Sequence, residues 1–311
     1  MSPDRATVDR ASRSLNPVLI VNPRSGGGKA ARSDLVAQCR ARGIEPIVFE
    51  PGEDLSAIAE AAIRDGAGVI GMAGGDGSQS TVAAVATQRG VPFVCIPAGT
   101  RNHFALDIGV DVRDVVGALD AFLHDDERRI DIGRVNGRVF VNNVAMGVYG
   151  AVVQSPEYRD NKVRTTIRML PGLIGPDAAP FDLRFQMPGG REQRSAVLLI
   201  VSNNPYGIGL RPRRETRGRL DAGVLGVIAL TGPPPNGADE WTTPVFRVDS
   251  GTTVALGIDG ESVEMEPPLV FECVPQALTI RVPIRRSRIT PVGARPRSVV
   301  PRSSFRISGP D

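Results

Sequence analysis

Between Pro17 and about Arg129 a short apolar, strand-like run is followed by a loop and a helix-forming stretch, and this unit recurs four times. The strand signals are Val18 to Val21, Ile47 to Phe49, Gly68 to Met72 and Pro92 to Ile96. The helical stretches that follow them are Lys29 to Ala41, Asp54 to Asp65 with Asp54 as cap, Gln79 to Gln88, and Asp111 to His124. Strand and helix in alternation imply a parallel sheet covered on both faces. Such a sheet places ligands at the C-terminal ends of its strands, and the glycine-rich segments of this chain fall at those ends.

After Asp131 the pattern changes. Asn136-Gly137 stands between Ile130 to Val135 and Arg138 to Val141, the residue pair that suits a tight turn between twisted antiparallel strands. Phe181, Leu183, Phe185 and Met187 alternate with polar residues at strand period, and Pro188-Gly189-Gly190 then turns toward the apolar run at Ala196 to Val201. The expected architecture is therefore an α/β domain over residues 17–130 and a mainly antiparallel β-sandwich over 131–285. They are flanked by a flexible N-terminus (1–16) and a basic tail (286–311), which either hangs free or returns to the first domain.

A chain of 311 residues with 41% apolar content can bury a core in both domains. Its net charge of +3 is too slight a bias for nucleic-acid binding. No apolar run approaches the roughly 18 residues that cross a bilayer. The N-terminus lacks the apolar stretch of a secretory signal, so a cytoplasmic location is expected. Cys39, Cys95 and Cys273 form no CxxC pair and read as buried apolar residues. With His103 and His124 as the only histidines, a multi-histidine metal centre is excluded, and carboxylates must carry the acid/base chemistry.

Three loops follow strands at the same edge. Asn22-Pro23-Arg24-Ser25-Gly26-Gly27-Gly28-Lys29 lets backbone N–H groups approach a phosphate, but Pro23 and Ala30 stand where a Walker A loop needs Gly and Ser or Thr. In Gly74-Gly75-Asp76-Gly77-Ser78 the glycines clear space for phosphates, Asp76 offers a carboxylate to Mg²⁺ or a hydroxyl, and Ser78 can cap the next helix. Thr100 and Asn102 of the third loop, Pro97 to Ala105, suit a nucleotide. His103 reads more readily as a satisfied surface residue than as a catalytic group.

Together these segments resemble the catalytic domain of the diacylglycerol kinase family, with its Asn-Pro-x-(Ser/Ala)-Gly start, Gly-Gly-Asp-Gly-Thr loop and Gly-Thr-x-Asn-Asp-Phe-Ala segment. The resemblance runs on through Asp131 to Asn142, Asn203 to Gly209, Leu220 to Leu225 and Ile258-Asp259-Gly260-Glu261, covering about Pro17 to Pro283. It implies transfer of a phosphoryl group from ATP to a lipid hydroxyl with Mg²⁺, diacylglycerol being the default acceptor. Glu261 or Asp259 is then the base, Asp76 organises metal and nucleotide, and Asn22, Ser25, Gly26, Gly74, Gly75, Gly77, Ser78, Thr100 and Asn102 bind the nucleotide. Asp221 is the candidate metal ligand, one position before Ala222, where the family carries its metal-associated Asp. The implied partners are a lipid at the inner membrane face, reached by peripheral contact, and a second copy of the chain. Two other readings stay open: an NAD kinase, which shares the Gly-Gly-Asp-Gly loop, and a binding module that has lost catalysis through His103 and Ala222.

Overall fold

The computed structural model describes residues 16–124, 126–148, 181–206, 217–231 and 238–283. The expected N-terminal segment up to residue 15, the basic tail, and Gly207 to Gly209 lie outside them. The first half contains strands β1 (Asn16–Val21), β2 (Glu45–Val48), β3 (Ala67–Gly74) and β4 (Phe93–Pro97). Helices α1 (Lys29–Arg32), α2 (Leu35–Arg40), α3 (Leu55–Arg64), α4 (Asp76–Arg89) and α5 (His103–Asp107) alternate with them. Next come β5 (Glu127–Val135), β6 (Arg138–Phe140), β7 (Asn143–Gly147), β8 (Arg184–Gln186), β9 (Glu192–Gln193) and β10 (Leu198–Asn203). The last strands are β11 (Leu225–Leu230), β12 (Ala238–Thr243), β13 (Val245–Asp249), β14 (Val254–Ile258), β15 (Glu261–Met265) and β16 (Leu269–Arg281).

Strands β2, β1, β3 and β4 are parallel neighbours in that order, as alternation required, and an antiparallel sheet of β12-β11-β10-β7-β14-β15 forms separately. The Asp54 cap is present: its carboxylate accepts from the N–H groups of Ser56 and Ala57, two of the donors a helix start leaves open. At Asn136-Gly137 both residues have positive φ (46° and 83°), the conformation of the expected hairpin turn.

Several boundaries move. The stretch Lys29 to Ala41 breaks into α1 and α2 because Asp34 adopts a left-handed conformation. Asp111 to His124 yields only a 3₁₀ segment, Gly117–Phe122; Asp114 Oδ1 accepts from Gly117 N–H three positions on, the bond of a helix cap, so the helical turns start late. Cys273 is only partly buried, whereas Cys39 and Cys95 are fully so.

The division near residue 130 also changes. The parallel strands belong to a larger sheet, continued from β4 through β16 to β13, β8 and β9, with β5 and β6 attached. The 13-residue strand β16 performs the join. Its start pairs with β13 and β5, and a register break between Val274 and Leu278 then sends Ile280 and Arg281 into parallel pairing with Phe93 and Val94. The return to the first domain is thus made before residue 286. Two apolar cores result, one around the parallel strands and including Leu278 and Ile280, the other between the two sheets around Phe140, Phe246 and Phe271.

In the second core Phe140 packs directly over its cross-strand partner Gly133, where a Cβ would fall inside the ring's van der Waals surface. Gly133→Ala should therefore overpack the core and lower stability by about 1–3 kcal/mol. A urea midpoint unchanged from the parent chain would refute this packing.

Candidate active site

Strands β1, β3 and β4 end level with one another, since Val21 pairs with Ala73 and Gly74 with Pro97, so the loops that follow them emerge side by side. Their glycines are in mutual contact. A Cβ on Gly99 would lie 2.5 Å from the Cα of Gly75, and one on Gly26 would strike the carbonyl oxygen of Ala98. Ser25 Oγ stands 3.7 Å from the Cβ position of Gly75. Residues with side chains could not bring three backbones this close. The three loops expected to form a nucleotide cradle, at Gly26, Gly75 and Gly99, therefore form one surface.

Helix α4 begins at Asp76, earlier than helix-forming residues alone suggest, and its N-cap is Gly75. Asp76, Gly77 and Ser78 are thus first-turn residues, whose N–H groups lack intrahelical partners and point toward the loop surface. Ser78 is not the cap; its side chain instead packs near Gly74. Asn22 ties its loop to the sheet through its N–H to Ala73 O (2.9 Å), and its side chain accepts from Arg24 N–H. Thr100 is exposed at the tip of the third loop. Asn102 turns inward: left-handed at φ 57°, it accepts from Gly99 N–H and donates to Gly99 O, so its amide closes the loop. Lys29 is likewise occupied, donating to the carbonyls of Pro97 and Val112, and burial lowers its pKa.

The three candidate carboxylates occupy different environments. Asp76 accepts from the N–H groups of His103 and Phe104 at the start of α5 and from Asn142 Nδ2 (3.4 Å). His103 Nδ1 lies 4.0 Å from the same carboxylate, which places the histidine at the site's edge. Asp259, at φ 47° in the turn between β14 and β15, is buried and accepts from Val141 N–H (2.8 Å), Asn142 N–H (2.8 Å) and Asn143 N–H (3.0 Å). Both of its oxygens are engaged, which makes it an anchor rather than a base facing a substrate. Glu261, two residues on, is half exposed; its Oε2 accepts from Arg138 (3.1 Å), and its Oε1 lies 2.5 Å from the Cβ position of Gly77. The second sheet thereby delivers one accessible carboxylate to the glycine loop.

Asp221 joins no metal-binding group among the described residues. Its carboxylate is exposed and bonded to Arg219 Nε (2.9 Å), which lowers its pKa, and among the described residues no group of three or more His, Cys, Asp or Glu is arranged to hold a metal.

Residues not singled out by sequence hold the site together. Arg217 and Asp107 form a fully buried ion pair, with Arg217 Nε and Nη2 on Oδ2 (2.8 and 2.6 Å) and the Arg217 N–H on Oδ1 (2.7 Å). The guanidinium also donates to the carbonyls of Val141 (2.7 Å) and Asn203 (2.6 Å) and to Asn142 Oδ1 (3.0 Å). Nothing in the sequence separates this arginine from the other arginines near it in the chain, because its partner is 110 positions away.

Residues 16–135 match the family model described as the diacylglycerol kinase catalytic domain, which bears out the resemblance carried by the loops. The chain is 29% identical over 292 residues to a Pseudomonas aeruginosa protein named "Probable lipid kinase YegS-like", spanning 86% of this chain and 94% of that one. It is 29% identical over 191 residues to a Staphylococcus aureus diacylglycerol kinase, spanning 59% of this chain and 60% of the relative. A diacylglycerol kinase structure from Bacillus anthracis str. Sterne has the same fold, with a TM-score of 0.64 at 18% identity over 87% of this chain and 98% of that one.

Burial pushes the Asp259 carboxyl up to about 6 against the opposing hydrogen bonds from Ser80, Val141, Asn142 and Asn143. The folded state thus holds this proton more tightly than the unfolded one, whose value is near 3.8. Its contribution is full below that value and fades as pH rises through 6, by ~3 kcal/mol at most. Asp259→Asn puts an amide NH₂ against a backbone N–H and should cost about 1–3 kcal/mol at pH 5. That cost should shrink by pH 7, and urea unfolding at the two pH values measures it; a pH-independent cost would contradict the assignment.

Proposed function

We propose that this chain, whose residues 16–135 match the diacylglycerol kinase catalytic domain model, is a lipid kinase that transfers the γ-phosphoryl group of ATP to a lipid hydroxyl, with diacylglycerol as the default acceptor. The observation that carries the reading is the placement of Glu261 Oε1 against Gly77, at the mouth of the glycine surface. Phosphoryl transfer needs alignment and charge neutralisation more than covalent catalysis, so backbone amides and one positioned carboxylate are the parts a chain must supply.

The close-packed backbones at Gly26, Gly75 and Gly99 and the open N–H groups of the first turn of α4 fit a triphosphate. Glu261 accepts the proton of the lipid hydroxyl as the oxygen–phosphorus bond forms and the bond from the γ-phosphorus to the ADP oxygen breaks. Asp259 holds the β14–β15 turn so that Glu261 points at the loop. Asp76 fits a role beside Mg²⁺: its oxygens offer about four lone-pair sites, and three donors use all but one. A magnesium site of this kind is built mostly from phosphates and water and needs as few as one protein carboxylate, which Asp76 offers. The metal would neutralise charge on the phosphates.

The acceptor would be met at the bilayer surface; no helix of the described residues is long and apolar enough to cross a membrane. The basic residues of the tail, from Arg285 to Arg306, are candidates for attracting anionic lipid at about 1 kcal/mol each.

Incubation with γ-labelled ATP and a panel of lipid extracts, diacylglycerol and NAD should label a lipid; label on NAD alone would refute the lipid reading. Glu261→Gln should lower kcat by roughly 10²- to 10⁴-fold with the KM for ATP nearly unchanged, and full activity in that variant would remove Glu261 as the base. Gly99→Ala, which drives a Cβ to 2.5 Å from Gly75 Cα, should instead raise the KM for ATP by roughly tenfold or more as the loops separate.

A further inference from the structure

Glu261 is a poor candidate for a well-aimed base if taken alone. It begins a strand immediately after a two-residue turn, its carboxylate is 47% exposed, and three side-chain torsions separate that carboxylate from the backbone. An unheld glutamate at such a position samples many rotamers, and fixing it carries an entropic cost. Arg138 supplies the restraint. Its guanidinium donates from Nη2 to Glu261 Oε2 at 3.1 Å, while Oε1 remains against Gly77.

Arg138 is itself well placed for this. It begins β6, directly after the Asn136-Gly137 turn, and pairs in register with Val135, the last residue of β5. Asn136 fastens that turn to the neighbouring strand: its Nδ2 donates to Pro268 O, and its Oδ1 accepts from Val270 N–H. Arg138 and Glu261 border a small cavity of about 170 Å³ whose other walls include Gly77, Ser80 and Thr81 of α4. The pair therefore faces the start of α4, not open solvent alone.

We infer that Arg138 is a positioning residue that holds one oxygen of Glu261 so that the other faces the glycine loop and the acceptor hydroxyl. The inference rests on the proposed role of Glu261 as the base. Its energetic logic is specific: an ion pair with partners 42% and 47% exposed is screened by solvent and contributes little to folding. Its consequence thus lies in geometry, and a misplacement of about 1 Å at a reacting group can cost roughly 100-fold in rate.

The test compares Arg138→Gln, Arg138→Lys, Glu261→Gln and the double variant Arg138→Gln/Glu261→Gln in steady-state kinetics with ATP and diacylglycerol vesicles, with thermal unfolding of each. Arg138→Gln should lower kcat by roughly 10- to 100-fold, leave the KM for ATP within about twofold and hardly move the unfolding temperature. Arg138→Lys should recover part of the loss, because an ammonium can still pair with Oε2. The double variant should be no slower than Glu261→Gln, as expected when one residue acts through the other. A rise in either KM with kcat retained would instead mean that Arg138 touches substrate and overturn the inference. A fall in unfolding temperature without rescue by lysine would reduce Arg138 to a structural role. An active Glu261→Gln defeats the base assignment itself, whereas an inactive Glu261→Gln beside an unimpaired Arg138→Gln defeats only the role of Arg138.

Discussion

The three residues Val141, Asn142 and Asn143, where the chain passes from β6 in the large sheet to β7 in the smaller one, have nearly every polar group claimed. Asp259 takes their N–H groups, Arg217 takes the carbonyls of Val141 and Asn142, and the Asn142 amide bridges Arg217 and Asp76. A crossing with no regular ladder would otherwise bury unpaired backbone groups at a cost of about 1–3 kcal/mol each. A carboxylate matches three convergent donors and a guanidinium matches convergent acceptors, so opposite charges on the two sides complete what secondary structure cannot.

That crossing also transmits position. Asp107, the partner of Arg217, ends α5, and the start of α5 is held by Asp76 of the glycine loop. The β14–β15 turn hangs from the same crossing through Asp259 and presents Glu261 to Gly77. Both halves of the proposed reaction, the phosphate surface and the base, are therefore referenced to one short segment. A buried ion pair is a weak source of net stability, but breaking one leaves an uncompensated charge at about 3–5 kcal/mol. The Arg217–Asp107 pair is better understood as fixing geometry than as adding stability.

What could be read in advance was what local physics encodes. Glycines that permit backbone contact, a cap at Asp54, a hairpin at Asn136-Gly137 and strand–helix alternation each write their effect within a few residues. The helix expected over Asp111 to His124 is reduced to the 3₁₀ segment Gly117–Phe122, which starts after a cap-like bond from Asp114 to Gly117 that composition does not reveal. Long-range facts stayed hidden. That β16 would bend back to pair with β4, and that Arg217 would find Asp107, depends on the sheet's closing, for which no short pattern exists. The family motifs carried the rest, because they place Gly77 and Glu261 in one site although 184 positions separate them.

The sequence left the base open between Asp259 and Glu261 and set Asp76 apart, and the surroundings of the three carboxylates differ accordingly. Asp259 is buried with three backbone donors, so it is committed to the backbone and cannot reach a substrate. Asp76, with 13% of its side chain exposed and one lone-pair site to spare, can serve a metal or phosphate neighbour but is held by α5 against large movement. Glu261 alone combines exposure, a single restraining partner and contact with the loop. A proton acceptor must meet a diffusing alcohol, whereas an anchor must not meet solvent at all. Among the three carboxylates, only Glu261 satisfies the first requirement.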